Sequence, residues 1–161
     1  MLLSLLGGCH TIVPTFDPIT VLETIQRERI THIMLVPTMI NMMVQVPTIG
    51  DYDLNSLQRI IYGASSIPLA VLKKAMSVFP CEFVQAYGMT EVSPILTLLL
   101  GEVHRKAVSA APDSPEAHRL LSAGQPIVGV DVRIVDERGQ EGVIGEIGEV
   151  VARGPNVMKG Y

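Results

Sequence analysis

The amino-acid sequence predicts an α/β fold, a mainly parallel sheet covered by helices and followed by the start of a small antiparallel, barrel-like β subdomain. Three observations lead there. Through the first half of the chain, short β-branched apolar runs alternate with helix-like segments, the rhythm of parallel strands joined by helical crossovers. Hydrophobic residues make up 48% of the chain and charged residues 17%, with positive mean hydropathy, as strands covered on both faces require. Beyond residue 120 the rhythm changes to strands joined by glycine-bearing turns. The expected division is therefore an α/β part over 1–120 and a β-barrel-like part over 121–161.

Each element follows from its own residues. Thr11–Val13 is a short β-branched run closed by Pro14. Asp17 followed by Pro18 is an N-cap with proline at the first helical position, and Val21, Leu22 and Ile25 recur on one helical face. Ile30–Val36 is apolar and mostly β-branched, which reads as a buried strand. Pro37 opens a second helix through Val44, and Pro47 stops it. Gln58–Tyr62 is the next strand. Ser66 and Pro68 then begin a third helix, with Leu69, Leu72 and Met76 on one face, and Glu82–Gln85 is the strand after it. Glu102–Arg119 is polar and holds Pro112, Ser114 and Pro115, the composition of a long surface connection. Val130–Val135 and Glu146–Ala152 are strands on either side of the turn Asp136-Glu137-Arg138-Gly139, an antiparallel pair.

At 161 residues the chain can bury a sizeable core. Its net charge is −4 and its Lys and Arg are scattered. That argues against a nucleic-acid surface, because neutralising phosphates takes a clustered basic patch. Cys9 and Cys81 have no metal-ligand spacing and no small secreted context, so they read as free thiols of a cytoplasmic protein. His10, His32, His104 and His118 form no metal or triad spacing and read as structural or solvated. Met1–Leu6 is apolar, but too short to span a bilayer and without the basic start of a signal peptide. The apolar start and the ending Lys159-Gly160-Tyr161, neither with a polar tail, lead to the expectation of a fragment.

The most informative segment is Gln85-Ala86-Tyr87-Gly88-Met89-Thr90-Glu91. It follows the strand-like run Cys81–Val84, so it stands where open α/β sheets bind ligands, outside a strand's carboxyl end. A ring can cover a base, a glycine turn lets the backbone approach, a hydroxyl can bond a phosphate oxygen, and a carboxylate can hold Mg²⁺. An ordinary strand-to-loop turn would carry the same residues, so the flanks decide. The chain holds no G-x-x-x-x-G-K-[ST] loop, and Gly142, Gly145 and Gly148 are β-turn residues and no dinucleotide fingerprint.

The segment resembles the Y-G-x-T-E motif of the adenylate-forming enzymes, the superfamily of acyl-CoA synthetases, luciferases and peptide-synthetase adenylation domains. The resemblance implies that Tyr87 packs against adenine, that Thr90 contacts the α-phosphate and that Glu91 serves the metal, with Gln85, Ala86, Gly88 and Met89 completing the nucleotide-binding stretch. Tyr62-Gly63-Ala64-Ser65-Ser66-Ile67-Pro68 resembles the family's Gly-Ala-rich junction that holds adenine edges. Gly63, Ala64 and Ser65 are thereby expected at the nucleotide, and Ser66 is free to cap the following helix. Ser122-Ala123-Gly124-Gln125-Pro126 and Gly145-Glu146-Ile147-Gly148-Glu149-Val150, ending in Arg153-Gly154-Pro155, resemble the S-x-G-x-P turn and the G-E-x-G-E strand. Gln125 stands where acyl-CoA synthetases often carry arginine. Both segments read as turns and strands without direct chemistry. Val36-Pro37-Thr38-Met39 resembles the segment whose helix start lines the acyl pocket, which makes Thr38 and Met39 candidate pocket residues, with plain core as the alternative.

What the resemblance implies is a ligase that joins a carboxylic acid, fatty or aryl, to ATP, giving an acyl-adenylate and pyrophosphate, and then passes the acyl group to CoA. ATP/AMP, Mg²⁺ and CoA are the implied cofactors and co-substrates. The family's phosphate loop, its T-G-D segment and its small domain with a catalytic lysine have no counterpart in the sequence, so catalysis by this stretch alone is not expected. Gln85-Ala86 and Met89 look like acyl- or aryl-CoA synthetases. Luciferase-like chemistry, a peptide-synthetase adenylation enzyme and a non-catalytic nucleotide-binding or interaction fragment stay open.

Overall fold

The computed structural model describes residues 7–111 and 113–161. The apolar start Met1–Leu6, and Pro112 within the expected surface connection, lie outside them.

The chain divides into two compact units. The first comprises residues through Ile60 together with Ile67–Glu82, the second Ile61–Ser66 together with Phe83–Tyr161. In the first unit, helix α1 (Pro18–Glu28) starts where Asp17 accepts a 2.7 Å hydrogen bond from the Thr20 amide. That bond is the main reason the Asp17 carboxyl titrates below its ordinary value. The helix buries Val21, Leu22 and Ile25 and ends at Arg29 in the left-handed conformation, φ 49°. Strand β1 (His32–Leu35) leads into α2 (Pro37–Val44), which opens on its proline and buries Ile40, Met43 and Val44. Next come β2 (Arg59–Gly63) and α3 (Leu69–Val78), the latter burying Leu72 and Ala75. Helix α2 packs between α1 and α3. The Gln58 and Arg59 amides donate to the Thr31 carbonyl at 2.8 and 3.1 Å, and the Glu82 amide donates to the Gln58 carbonyl at 3.0 Å. Because the starts of β1, β2 and β3 (Glu82–Tyr87) thus lie side by side with a helix between each pair, these three strands run parallel.

In the second unit β4 (Thr97–Leu99) lies antiparallel to β3, with Gln85 opposite Leu99 and Tyr87 opposite Thr97, and β5 (Gln125–Pro126) lies antiparallel to β4. The sheet order is β1-β2-β3-β4-β5, and β6 (Asp131–Val135) with β7 (Glu149–Arg153) forms a separate antiparallel pair. The architecture is a mixed sheet flanked by helices plus a small antiparallel sheet.

Four local expectations are corrected. Thr11–Val13 forms no strand: the run is largely exposed and pairs with no strand among the described residues, and β-propensity without a neighbouring strand makes none. The strand expected buried over Ile30–Val36 is four residues long, and only Leu35 in it is buried, because among the described residues β1 stands at the end of the strand order. Ser66 does not cap α3. Pro68 holds that position, with no side-chain hydrogen bond. Within Glu102–Arg119 the structure places α4 (Gly101–Ser109), the short α5 (Pro115–His118) and a 3₁₀ turn, Arg119–Leu121. The buried face of α4 consists of Gly101, His104 and Ala107, a helical spacing that carries almost no hydrophobic signal. No helix among the described residues is long and apolar enough to cross a membrane.

Candidate functional site

Every residue expected at the nucleotide lies in the second unit, at the carboxyl ends of β2 and β3 and in the turns beyond them. A β-carbon on Gly63 would overlap the Ala86 carbonyl oxygen, so the backbones of β2 and β3 meet here as only glycine allows. Ala64 follows at φ 70°, a left-handed conformation that L-residues with a side chain adopt only under strain. Ala64 and Ser65 are exposed, and Gln85, Ala86, Tyr87 and Gly88 are half-buried. A β-carbon on Gly88 would run into the Pro94 carbonyl and approach Ile95 Cα at 3.0 Å. The chain therefore doubles back closely after the motif strand. Met89 and Thr90 reach the exposed surface, and Thr90–Val92 form one 3₁₀ turn closed by Ser93 at φ 55°.

Glu91 in that turn is half-buried, and its carboxylate Oε1 accepts a 2.6 Å hydrogen bond from the Tyr161 hydroxyl. This bond holds the Glu91 carboxyl below its ordinary value and raises the Tyr161 hydroxyl, each shift being the other's counterpart. Among the described residues no group of three or more His, Cys, Asp or Glu could hold a metal. A lone ionised carboxylate nonetheless suits Mg²⁺, which keeps several waters and takes one or two carboxylates together with substrate phosphates. The donor set thus fits a metal–nucleotide pair and not a bare ion. Thr38 and Met39 belong to the first unit, in the first turn of α2. Thr38 is exposed, and Met39 is half-buried on the wall of a cavity of about 560 Å³ that β1 and α1 also line.

Three residues bonded to or next to these segments were not singled out from sequence. Asn156 donates through Nδ2 to the Val92 carbonyl at 2.8 Å and the Ile95 carbonyl at 3.1 Å, while the Met158 amide donates to the Glu91 carbonyl at 2.8 Å. The last stretch of chain is thereby tied to the turn that carries Glu91. Asn156 Oδ1 is buried without a partner, a consequence of turning both amide hydrogens toward carbonyls. Replacing Asn156 by alanine orphans two acceptors, and we expect a loss of about 1–3 kcal/mol in chemical denaturation. An unchanged midpoint would remove Asn156 from the support of this turn.

Tyr62 and His104 are the other two, both at 0% exposure. Burial lowers the His104 pKa from 6.5, opposed by its bond to the Leu100 carbonyl. As pH falls below 6.5 the unfolded chain takes a proton that the folded chain resists. The stability given by the neutral ring is therefore complete above 6.5 and is lost as pH drops through the depressed folded value. Melting temperature should decline as pH falls below 6.5, and a His104→Gln variant should lose that part of the slope.

The chain matches the AMP-binding enzyme family over residues 1–161. It is 35% identical over 155 residues to a medium/long-chain-fatty-acid–CoA ligase of Mycobacterium tuberculosis, an alignment covering 96% of this chain and 25% of that protein. It is 36% identical over 155 residues to a feruloyl-CoA synthase of an Amycolatopsis species, covering 96% and 29%. Its fold superimposes on o-succinylbenzoate CoA synthetase of Bacillus subtilis, solved with ATP and magnesium ion, at a TM-score of 0.79 and 28% identity, covering 96% of this chain and 29% of that one. The chain spans about a quarter of the length of the curated relatives it matches. Matched from its first residue to its last, and folded as such enzymes fold, the chain belongs to the AMP-binding enzyme family.

Proposed function

We propose that this chain is the nucleotide-holding portion of an ATP-dependent acid–thiol ligase, which converts a fatty or aryl carboxylic acid to its acyl-adenylate and then to the CoA thioester. One observation carries the reading: the close approach of Gly63 to Ala86, which sets the Gly63–Ser65 junction beside the Gln85–Glu91 segment at adjacent strand ends. A flat base needs such a gap in side-chain cover, and its phosphates need the polar turn that follows.

In this reading the Tyr87 ring covers one face of adenine, while Gly63, Ala64 and Ser65 lie along its edge with Gln85 and Ala86. Gly88 and Met89 carry the backbone on to Thr90, whose hydroxyl would donate to an α-phosphate oxygen. Glu91 would hold the metal from the next position. Mg²⁺ supplies positive charge that offsets the phosphates during in-line attack by the acid. The rest is positioning: a bound acid and a fixed α-phosphorus react far faster than free partners. Thr38 and Met39, at the start of α2, are the proposed wall of the acid site. The curated relatives act on a fatty acid and, by name, on a feruloyl group, which supports a fatty or aryl acid here. With ATP and CoA as co-substrates, the cytoplasm is the proposed setting.

The test is direct. The full-length protein carrying this chain, given ATP, Mg²⁺, CoA and a panel of fatty and aryl acids, should release AMP and pyrophosphate only when an acid is present. Acid-dependent release of ADP and phosphate would place it in another ligase class.

A further inference from the structure

The second unit buries two polar side chains, Tyr62 and His104, that the proposed reaction leaves unused. His104 Nδ1 lies 3.0 Å from the Leu100 carbonyl oxygen, which only accepts, so that nitrogen carries the proton. His104 Nε2 is then the acceptor, and the Tyr62 hydroxyl 2.8 Å away donates to it. The same hydroxyl lies 3.3 Å from Gln85 Oε1. With its one proton committed to His104, the Tyr62 hydroxyl has none for Oε1, and exchanging the Gln85 amide oxygen and nitrogen, an assignment the hydrogen-bond network decides, lets the NH₂ donate to the Tyr62 oxygen. The rings support this geometry: Tyr62 meets His104 edge-on at 5.7 Å between centroids and Phe83 at 6.4 Å.

These hydrogen bonds connect three strand ends in order. Tyr62 immediately precedes Gly63 on β2. Gln85 opens the motif stretch on β3. Leu100 follows β4, whose residues Leu99 and Thr97 face Gln85 and Tyr87. A Phe–Leu pair would fill a similar volume and leave only the half-buried Gln85 amide short of a partner, so a hydroxyl and an imidazole buried there specify a geometry more than they add stability.

Resting on the nucleotide reading above, we propose that His104 is a positioning residue of the nucleotide site, acting through Tyr62 and Gln85 to fix the spacing of the strand ends on which the adenine base lies. His104 touches no ligand itself. It sets where Gly63 and the Gln85–Tyr87 stretch stand relative to one another, and the base reads that spacing.

The experiment measures, in the full-length protein, ATP affinity by calorimetry, melting temperature, and the His104 tautomer from ¹⁵N shifts. Tyr62→Phe removes one hydroxyl. The double variant Tyr62→Phe/His104→Phe replaces both partners by apolar groups, which relieves the orphaned acceptor and should bring the melting temperature back toward the parent. Positioning predicts that ATP binding in the double variant stays weaker by about three- to tenfold, the scale of one hydrogen bond, although stability has returned. Affinity that returns together with stability would overturn the proposal, as would a ring protonated on Nε2. Should the parent bind ATP yet form no AMP with any acid, the ligase reading fails while the His104 inference is still decided by affinity. A parent that binds no ATP overturns both.

Discussion

Glu91→Gln, in the full-length enzyme, should cut acid-dependent AMP formation by roughly tenfold or more, the scale of losing one electrostatic contact to a transition state. The melting temperature should barely move. The substitution keeps the shape and the acceptor oxygen that receives the Tyr161 hydroxyl, and it removes only the charge. The backbone bond from Met158 to the Glu91 carbonyl is untouched. In the proposed role the loss is in affinity for Mg²⁺, so the deficit should shrink as the metal concentration rises. A wild-type rate at ordinary Mg²⁺ would take Glu91 out of the metal site.

Gly88→Ala should be the most damaging single change at the site, because the added carbon meets backbone and not a side chain that can swing away. Pro94 and Ile95 must shift outward, at a cost of about 1–3 kcal/mol for overpacking. Ile95 is one of the two residues whose carbonyls Asn156 holds, so the displacement reaches the turn that bears Thr90 and Glu91. A melting temperature lower by several degrees and at least roughly a tenfold fall in adenylation are expected together. Gly50→Ala is the control, since a β-carbon there meets nothing within 4 Å. Parent-like stability in Gly88→Ala would contradict the tight return of the chain.

The contrast between these positions and Asn156 or His104 shows how far the sequence could be read. Gly88, Thr90 and Glu91 sit within one local run whose residue types announce a ligand, and the glycine demands a close approach. The helix starts at Asp17-Pro18 and Pro37 were equally legible, because capping chemistry acts over four residues. Asn156 and His104 act on residues 64 and 42 positions away, and no local pattern encodes such a partner. Helix α4 stayed hidden for a related reason: its core-facing residues are a glycine, a histidine and an alanine. Strand β1 was over-read as buried because apolar residues alone do not tell an edge strand from a central one.

The long reach of these contacts bears on the order in which the molecule assembles. Helices α1 to α3 close over short stretches of chain, whereas the Glu91 turn is completed only when Asn156 and Tyr161, 64 and 70 residues further along the chain than their respective partners, have arrived. Loop closure of that length precedes any gain from the contacts it permits, so such contacts tend to form late on the folding pathway. Asn156→Ala should accordingly leave the folding rate nearly alone and accelerate unfolding, the signature of an interaction made after the rate-limiting step. The motif turn is then expected to set late and to loosen early.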